Sequence, residues 1–392
     1  MRILIASDLH WPTINGIATF GRNLATGLAE RGHEVMVVAP SQTGRKTEES
    51  DGLYTISRTA SLIFPFYQNL RVSVSPQREM KHIVQQFQPD VIHVQTPLGI
   101  GVAAVNVAKK LHIPLVATNH AMSENLIENL RLLAPFAKPI DRLLREYGSR
   151  FYANADYMTF PTTAAIAMQR PESFTTPHMA ISNGVELSRF QPGPADAAVA
   201  ERFGIDPKRP VVMYLGRIDA EKQVSTLVKA AALVPRHFRL QLMIVGFGND
   251  LENLKKLAQE LKLADDVVFT GRIAEDDKPA ILRLASIFVM TSPAELQSIA
   301  MLEAMATGLP VVAVNAGALY ELCHDSKNGF LYKLGQPNEL AAHLETLLND
   351  KELMTKFGSM SQELASHHDL GETIGQFEAL YETVLKQRRE IA

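Results

Sequence analysis

Short apolar runs alternate with helix-length amphipathic stretches along this chain, and the alternation starts twice. In the first half the candidate strands are Ile3–Ala6, Val35–Ala39, Val91–Val94, Leu115–Thr118 and Tyr157–Phe160, with helical patterns such as Ala18–Arg31 and Gln77–Phe87 between them. A strand that is apolar throughout is buried on both faces, and a helix after each strand supplies the cover. That is the pattern of a parallel sheet. The rhythm restarts after Phe190-Gln191-Pro192-Gly193-Pro194. New strands are expected at Val211–Leu215, Leu240–Val245, Val267–Thr270, Ile287–Met290 and Val311–Val314, and helices at Val224–Leu233 and Asp250–Leu261. A chain of 392 residues exceeds one ordinary α/β core. We therefore expect two doubly wound domains, 1–190 and 191–372, and a helical tail, 373–392, free to pack back on the first. Ligands of such sheets bind beyond the carboxyl ends of the strands, which places the expected site in a cleft between facing domains.

The formal net charge of -3 argues against a nucleic-acid partner. The single cysteine, Cys323, has no intrachain partner, so a reducing, cytoplasmic setting is expected. The apolar stretch at Ile3–Ala6 is too short for a signal peptide. No window approaches the ~20 apolar residues of a membrane span, so any membrane contact is expected to be peripheral.

Three segments carry chemistry. In Thr291–Pro310, Glu295 falls in a loop after a buried strand, a helix is expected to begin near Ser298, and Glu303 lies along it. The free N–H groups of a helix start favour an anion such as a diphosphate, and two carboxylates beside it can hold sugar hydroxyls. Tyr214–Gln223 ends a strand at Gly216 and follows it with Arg217 and Lys222, which can clamp a phosphate leaving group. Trp11–Thr19 turns from the first strand into a helix at Gly16, where backbone can approach a ligand. Val245-Gly246-Phe247-Gly248, Phe269-Thr270-Gly271-Arg272-Ile273 and Thr118-Asn119-His120 each end a further strand. No DxD-type motif or Asp/His cluster with metal spacing stands beside them. Taken singly, each segment also reads as an ordinary turn, charged loop or solvated helix.

Taken together and in order, the Gly16 turn, Ile181-Ser182-Asn183-Gly184-Val185, Gly216-Arg217 with Glu221-Lys222, Val245–Gly248, and Glu295 with Glu303 resemble glycosyltransferase family 4, retaining enzymes of the GT-B fold. The resemblance implies a role for each position. Arg217 and Lys222 would neutralise the departing diphosphate, and Glu303 would bind the ribose. Gly271, Arg272 and Ile273 would line the base pocket. Glu295 would hold the donor sugar and stabilise its transition state. Gly216, Gly246, Gln297, Ser298, Ile299 and Ala300 would complete the donor site. Gly16 would approach the diphosphate or the acceptor, and His120 would face the reacting carbon. No metal or cofactor is implied, and the nucleotide sugar is a substrate.

Leu296-Gln297-Ser298 replaces the Gly-Phe-Gly common in the family, and Asn315-Ala316-Gly317-Ala318 replaces a Gly-Gly turn. Both resemble members that glycosylate lipids such as diacylglycerol. The expected reaction is hexose transfer from a UDP-sugar to a membrane lipid. A soluble acceptor and a catalytically silent nucleotide-binding module are the alternatives. Acceptor and membrane contacts are expected from Asn15, from Phe64, Phe66 and Tyr67 in an aromatic run, and from Arg131, Lys138, Arg142 and Arg145 in an amphipathic stretch broken near Pro135 and Pro139.

Overall fold

The computed structural model describes residues 1–13, 15–64, 70–120, 137–169 and 175–391. Phe66, Tyr67 and Arg131 lie outside these residues, as do the side chains of Lys138 and Arg145. The chain forms two compact units, Met1–Asn183 with Gly371–Ala392, and Gly184–Leu370.

The first unit holds β1 (Arg2–Ala6), β2 (Glu34–Pro40), β3 (Thr47–Ser50), β4 (Thr55–Thr59), β5 (Ser61–Ile63), β6 (Arg71–Ser73), β7 (Val91–Val94), β8 (Leu115–Thr118), β9 (Tyr157–Phe160) and β10 (His178–Ala180). Its main sheet has the order β10-β9-β8-β7-β1-β2-β4-β3, and β5 and β6 pair separately. All pairings in the main sheet are parallel except that of the exposed edge strand β3 with β4. The second unit holds β11 (Val211–Leu215), β12 (Gln241–Val245), β13 (Val267–Gly271), β14 (Ile287–Met290), β15 (Val311–Val314) and β16 (Gly329–Tyr332). Their order, β13-β12-β11-β14-β15-β16, is that of a doubly wound dinucleotide-binding sheet. The central strands β11 and β14 are buried at every position.

The first unit ends at Asn183, earlier than the expected boundary at 190. The Pro192-Gly193-Pro194 signal sits inside the second unit. Val185 accepts from the Leu370 N–H at 3.0 Å and donates to the His368 carbonyl at 2.8 Å. Phe190 is buried in the second unit's core.

The C-terminal helix spans Leu370–Ile391, and its residues from Gly371 belong to the first unit. Ile374 packs where a side chain on Gly27 would sit, and Glu378 takes Arg31 at 2.9 Å and His33 at 2.8 Å. Phe377 and Tyr381 pack on the buried His93. The helix at Ala137–Tyr152 runs through Pro139 rather than breaking there. Proline is tolerated in a first turn because its missing N–H would have no intrahelical partner there.

Candidate active site

Strands β11 and β14 are neighbours in the sheet, but the chain leaves them toward opposite edges. Their carboxyl ends are therefore the switch point where a doubly wound sheet opens a crevice. Two of the segments singled out in the sequence emerge there and are tied together. The Thr291 hydroxyl donates to the Lys222 carbonyl at 2.6 Å. The Lys222 ammonium donates to Ser292 Oγ at 3.2 Å and to Glu295 Oε1 at 2.8 Å. Both side chains are largely shielded from solvent, so the pair is stronger than a surface ion pair.

Arg217 lies on the same loop, and its guanidinium is held between Asp219 and Glu221. Glu221 is buried, so it orients Arg217 rather than facing a ligand. The Tyr214 hydroxyl donates to the Arg217 carbonyl at 2.8 Å, and Asp219 accepts the Asn249 N–H at 3.1 Å. The loop after β12 presses directly on this one. A Cβ on Gly246 would lie 1.9 Å from the Gly216 carbonyl oxygen, and φ at Gly246 is 138°. Only glycine permits that approach.

The helix Ile299–Ala306 begins where expected. Ser298 caps it, accepting the Met301 N–H at 3.2 Å. The Ile299 and Ala300 N–H groups head the helix without intrahelical acceptors and favour an anion. Gln297 is buried just before the cap. Glu303 is also buried, with Oε1 at 3.2 Å from Lys278 Nζ. Its Oε2 is shut off from solvent and has no partner among the described residues, leaving an acceptor for a ligand hydroxyl. Burial raises the Glu303 carboxyl above the usual carboxylate range, and Lys278 pulls it back. For Lys278 itself, burial opposes the charge, but Glu303 and Glu275 outweigh it and raise its pKa. At the end of β13, the Gly271 carbonyl accepts the Gly246 N–H at 3.1 Å. Arg272 lies over the Phe247 ring at 4.3 Å, and Ile273 packs at the core edge.

Gly317 braces Glu295 from the far side. Its φ is 58°, and a Cβ there would lie 2.7 Å from the Glu295 carbonyl oxygen, which accepts the Ala318 N–H at 2.8 Å. Gly317→Ala is expected to cost about 1–3 kcal/mol of stability through backbone strain and to shift the Glu295 loop. Chemical denaturation together with donor affinity would measure both. Unchanged values would show that the loop absorbs the methyl group.

In the first unit, β1 and β7 form the corresponding switch point. Asn15 spends its side-chain oxygen on the Ala18 N–H at 2.8 Å, capping the helix Gly16–Glu30. A Cβ on Gly16 would meet nothing within 4 Å, so packing within the described residues does not require glycine there. Gly16→Ala is expected to stabilise the fold by about 0.5–1 kcal/mol through helix propensity. If a ligand approaches this backbone, turnover should fall about tenfold or more, a barrier increase of about 1.4 kcal/mol. Thermal unfolding and steady-state rates would separate the two effects, and an active, stabilised variant would remove Gly16 from the site.

His120 follows β8 and packs at a tilt against Phe20, with centroids 4.5 Å apart and 54° between the rings. Burial pushes its pKa down to about 3, so it is neutral near pH 7. Its Nε2 is shut off from solvent with no partner among the described residues. Gln95, after β7, also has a buried side-chain amide without a partner among the described residues. Asp8 accepts from Thr96 Oγ1 and from the N–H groups of Ile100 and Gly101, and its burial raises its pKa.

Lys278, Asp8 and Gln95 were not singled out from the sequence, and Gly317, Phe247 and Asp219 stood there only inside longer segments, without a role of their own. Their value comes from contacts between distant segments. Phe64 and Arg142 are exposed in the first unit, on β5's outgoing loop and the Ala137–Tyr152 helix.

Two family descriptions match consecutive parts of the chain: "Glycosyltransferase Family 4" over residues 14–189 and "Glycosyl transferases group 1" over 197–364. An α-monoglucosyldiacylglycerol synthase of Streptococcus pneumoniae is 28% identical, with 93% of this chain and 83% of that protein covered. A GDP-mannose-dependent α-mannosyltransferase of Mycolicibacterium smegmatis is also 28% identical, with 84% of each covered. Among solved structures, Anabaena HepE in complex with UDP-glucose superposes with a TM-score of 0.76 at 21% identity, over 98% of this chain and 100% of that one. The two doubly wound sheets, the residues gathered at their switch points and these matches together place the chain in glycosyltransferase family 4, with the GT-B fold.

Proposed function

We propose that the protein transfers a hexose from a UDP-sugar to a membrane lipid such as diacylglycerol, retaining the anomeric configuration and using no metal. The observation that carries the reading is the Lys222–Glu295 pair, held at the second unit's switch point beside the start of the Ile299–Ala306 helix. In this reading Glu303, through its unpartnered Oε2, takes ribose hydroxyls, and Gly271, Arg272 and Ile273 line the base pocket. Arg217, Lys222 and the helix start take the diphosphate, and Glu295 takes the sugar. As the glycosidic C–O bond breaks, negative charge grows on the diphosphate, and the fixed cations stabilise it without reorganising. The acceptor hydroxyl attacks from the face the diphosphate leaves and gives its proton to it, so no side chain is needed as a base. Neutral His120 and the backbone at Gly16 position the acceptor. Arg142 and Phe64 meet the lipid surface.

UDP is favoured by the HepE complex and lipid by the Streptococcus relative. The GDP-mannose-dependent relative supports a second donor, GDP-mannose. Thermal shift with UDP, GDP and their sugar conjugates, in EDTA, with and without anionic liposomes, tests the reading. Stabilisation by one nucleotide sugar and lipid-dependent turnover would support it. Turnover only with soluble acceptors would replace the lipid, and no response to any nucleotide would remove the donor site.

A further inference from the structure

The first unit carries an open cavity of about 550 Å³ whose lining includes Pro76, Gln77, Leu98, Gly99, Val102 and Tyr147. Its walls are almost entirely carbon. The Tyr147 hydroxyl is spent on the Pro97 carbonyl at 2.7 Å, and Gln77 Oε1 accepts from Asn106 at 3.3 Å. A site built for a sugar or a phosphate would offer unspent polar atoms, whereas this one offers apolar surface.

The inner end of the cavity reaches the first unit's switch point. Gly99 sits between Asp8 and Pro76: a Cβ on it would lie 3.6 Å from Asp8 Oδ1 and 3.8 Å from Pro76 Cγ. Asp8 follows β1, in the unit whose His120 and Gly16 backbone are proposed to position the acceptor. The outer end continues onto exposed apolar side chains. Leu98 is 40% and Tyr147 45% exposed, Leu143 lies one turn before Tyr147 at 65%, and Val74, just ahead of Pro76, is 57% exposed. Exposed large apolar side chains gathered in one place mark a ligand or membrane surface. Cations accompany them. Arg142 adjoins Leu143, and Arg78 and Lys81 stand exposed on the Pro76–Phe87 helix, which suits an anionic bilayer.

We propose that this groove holds an acyl chain of the lipid acceptor, running from the bilayer side to the first unit's switch point. The inference rests on the lipid-acceptor reading. The groove selects for chain length and leaves donor chemistry alone.

The test uses the full chain with short-chain diacylglycerols kept below their aggregation concentration. Each methylene that enters the groove is expected to raise kcat/KM up to about fourfold, until the groove is full. Val102→Trp fills the cavity, and Leu98→Ser removes one wall at a helix N-cap position that serine favours. Both should flatten the chain-length dependence while donor hydrolysis without acceptor stays at the wild-type rate. A dependence that survives in both folded variants overturns the groove but leaves the lipid acceptor standing. Weakened vesicle binding with the dependence intact assigns the surface to bilayer lipid and also overturns it. A wild-type protein that glycosylates only soluble acceptors removes the lipid reading and the groove together.

Discussion

Lys222→Ala is expected to slow transfer by roughly 30- to 1000-fold, about 2–4 kcal/mol in the barrier, with little change in overall stability. Nζ sits 2.8 Å from Glu295 and 3.2 Å from Ser292, at the point where the β11 and β14 loops meet. Its loss removes the cation proposed to face the leaving group and takes from the Glu295 carboxylate its Lys222 partner. Both effects weaken the transition state more than the ground state. The Lys222 backbone is held independently by Thr291, so the loop should keep its course. Single-turnover rates at saturating donor would isolate the chemical step. Lys222→Arg should recover only part of the rate, because a planar fork does not reproduce a point charge between two acceptors. A near-native rate for the alanine variant would remove Lys222 from catalysis.

The first unit should also lose stability in mild acid. His10, His93 and His120 are each pushed down to about 3, chiefly by burial. Unfolded, each has a pKa near 6.5. Below that value the unfolded chain binds protons that the folded chain refuses, so stability falls as pH drops from 6.5 toward 3. Each fully buried histidine contributes up to about 1.4 kcal/mol per pH unit. His120, which is only partly enclosed, contributes less. Asp8 acts the other way, because its raised pKa lets the folded state hold a proton more readily than the unfolded one. We expect a net loss on the order of 3 kcal/mol between pH 7 and pH 5.5. The protein's one tryptophan, Trp11, lies in this unit beside His10, so urea unfolding followed by its fluorescence reports the loss directly. His93 bridges the Tyr381 hydroxyl at 2.7 Å and Thr118 at 2.6 Å, both buried. His93→Gln should lower stability at pH 7 and remove its share of the acid dependence. An unfolding midpoint that does not move with pH would contradict the buried neutral state.

Most strands read from the sequence are buried on both faces, although the anticipated Val267–Gly271 is a half-buried edge strand. Val91–Val94, Leu115–Thr118, Tyr157–Phe160, Val211–Leu215, Ile287–Met290 and Val311–Val314 form at the expected residues because an apolar run between helices has few other ways to be buried. The strands not anticipated carry no such signal. Thr47–Ser50 is exposed throughout, and Thr55–Thr59 is polar although Arg58 is fully buried within it. His178–Ala180 has three residues, and Gly329–Tyr332 begins with a glycine so close to β15 that a Cβ would lie 1.7 Å from the Val311 carbonyl oxygen.

By itself, the sequence determined two doubly wound units, the loops that carry Arg217, Lys222 and Glu295, and the helix that carries Glu303. Apolar periodicity is a local property, and so is the place where a strand ends. Tertiary structure decided which loops meet. Lys222 and Glu295 are 73 residues apart and become neighbours only because β11 pairs with β14. The same pairing of distant segments gave Glu303 its Lys278, set Gly317 against Glu295 and placed Asp8 beside the Gly99 helix. Those contacts depend on sheet order and on backbone approach within a few ångströms, which residue type and spacing along the chain do not encode.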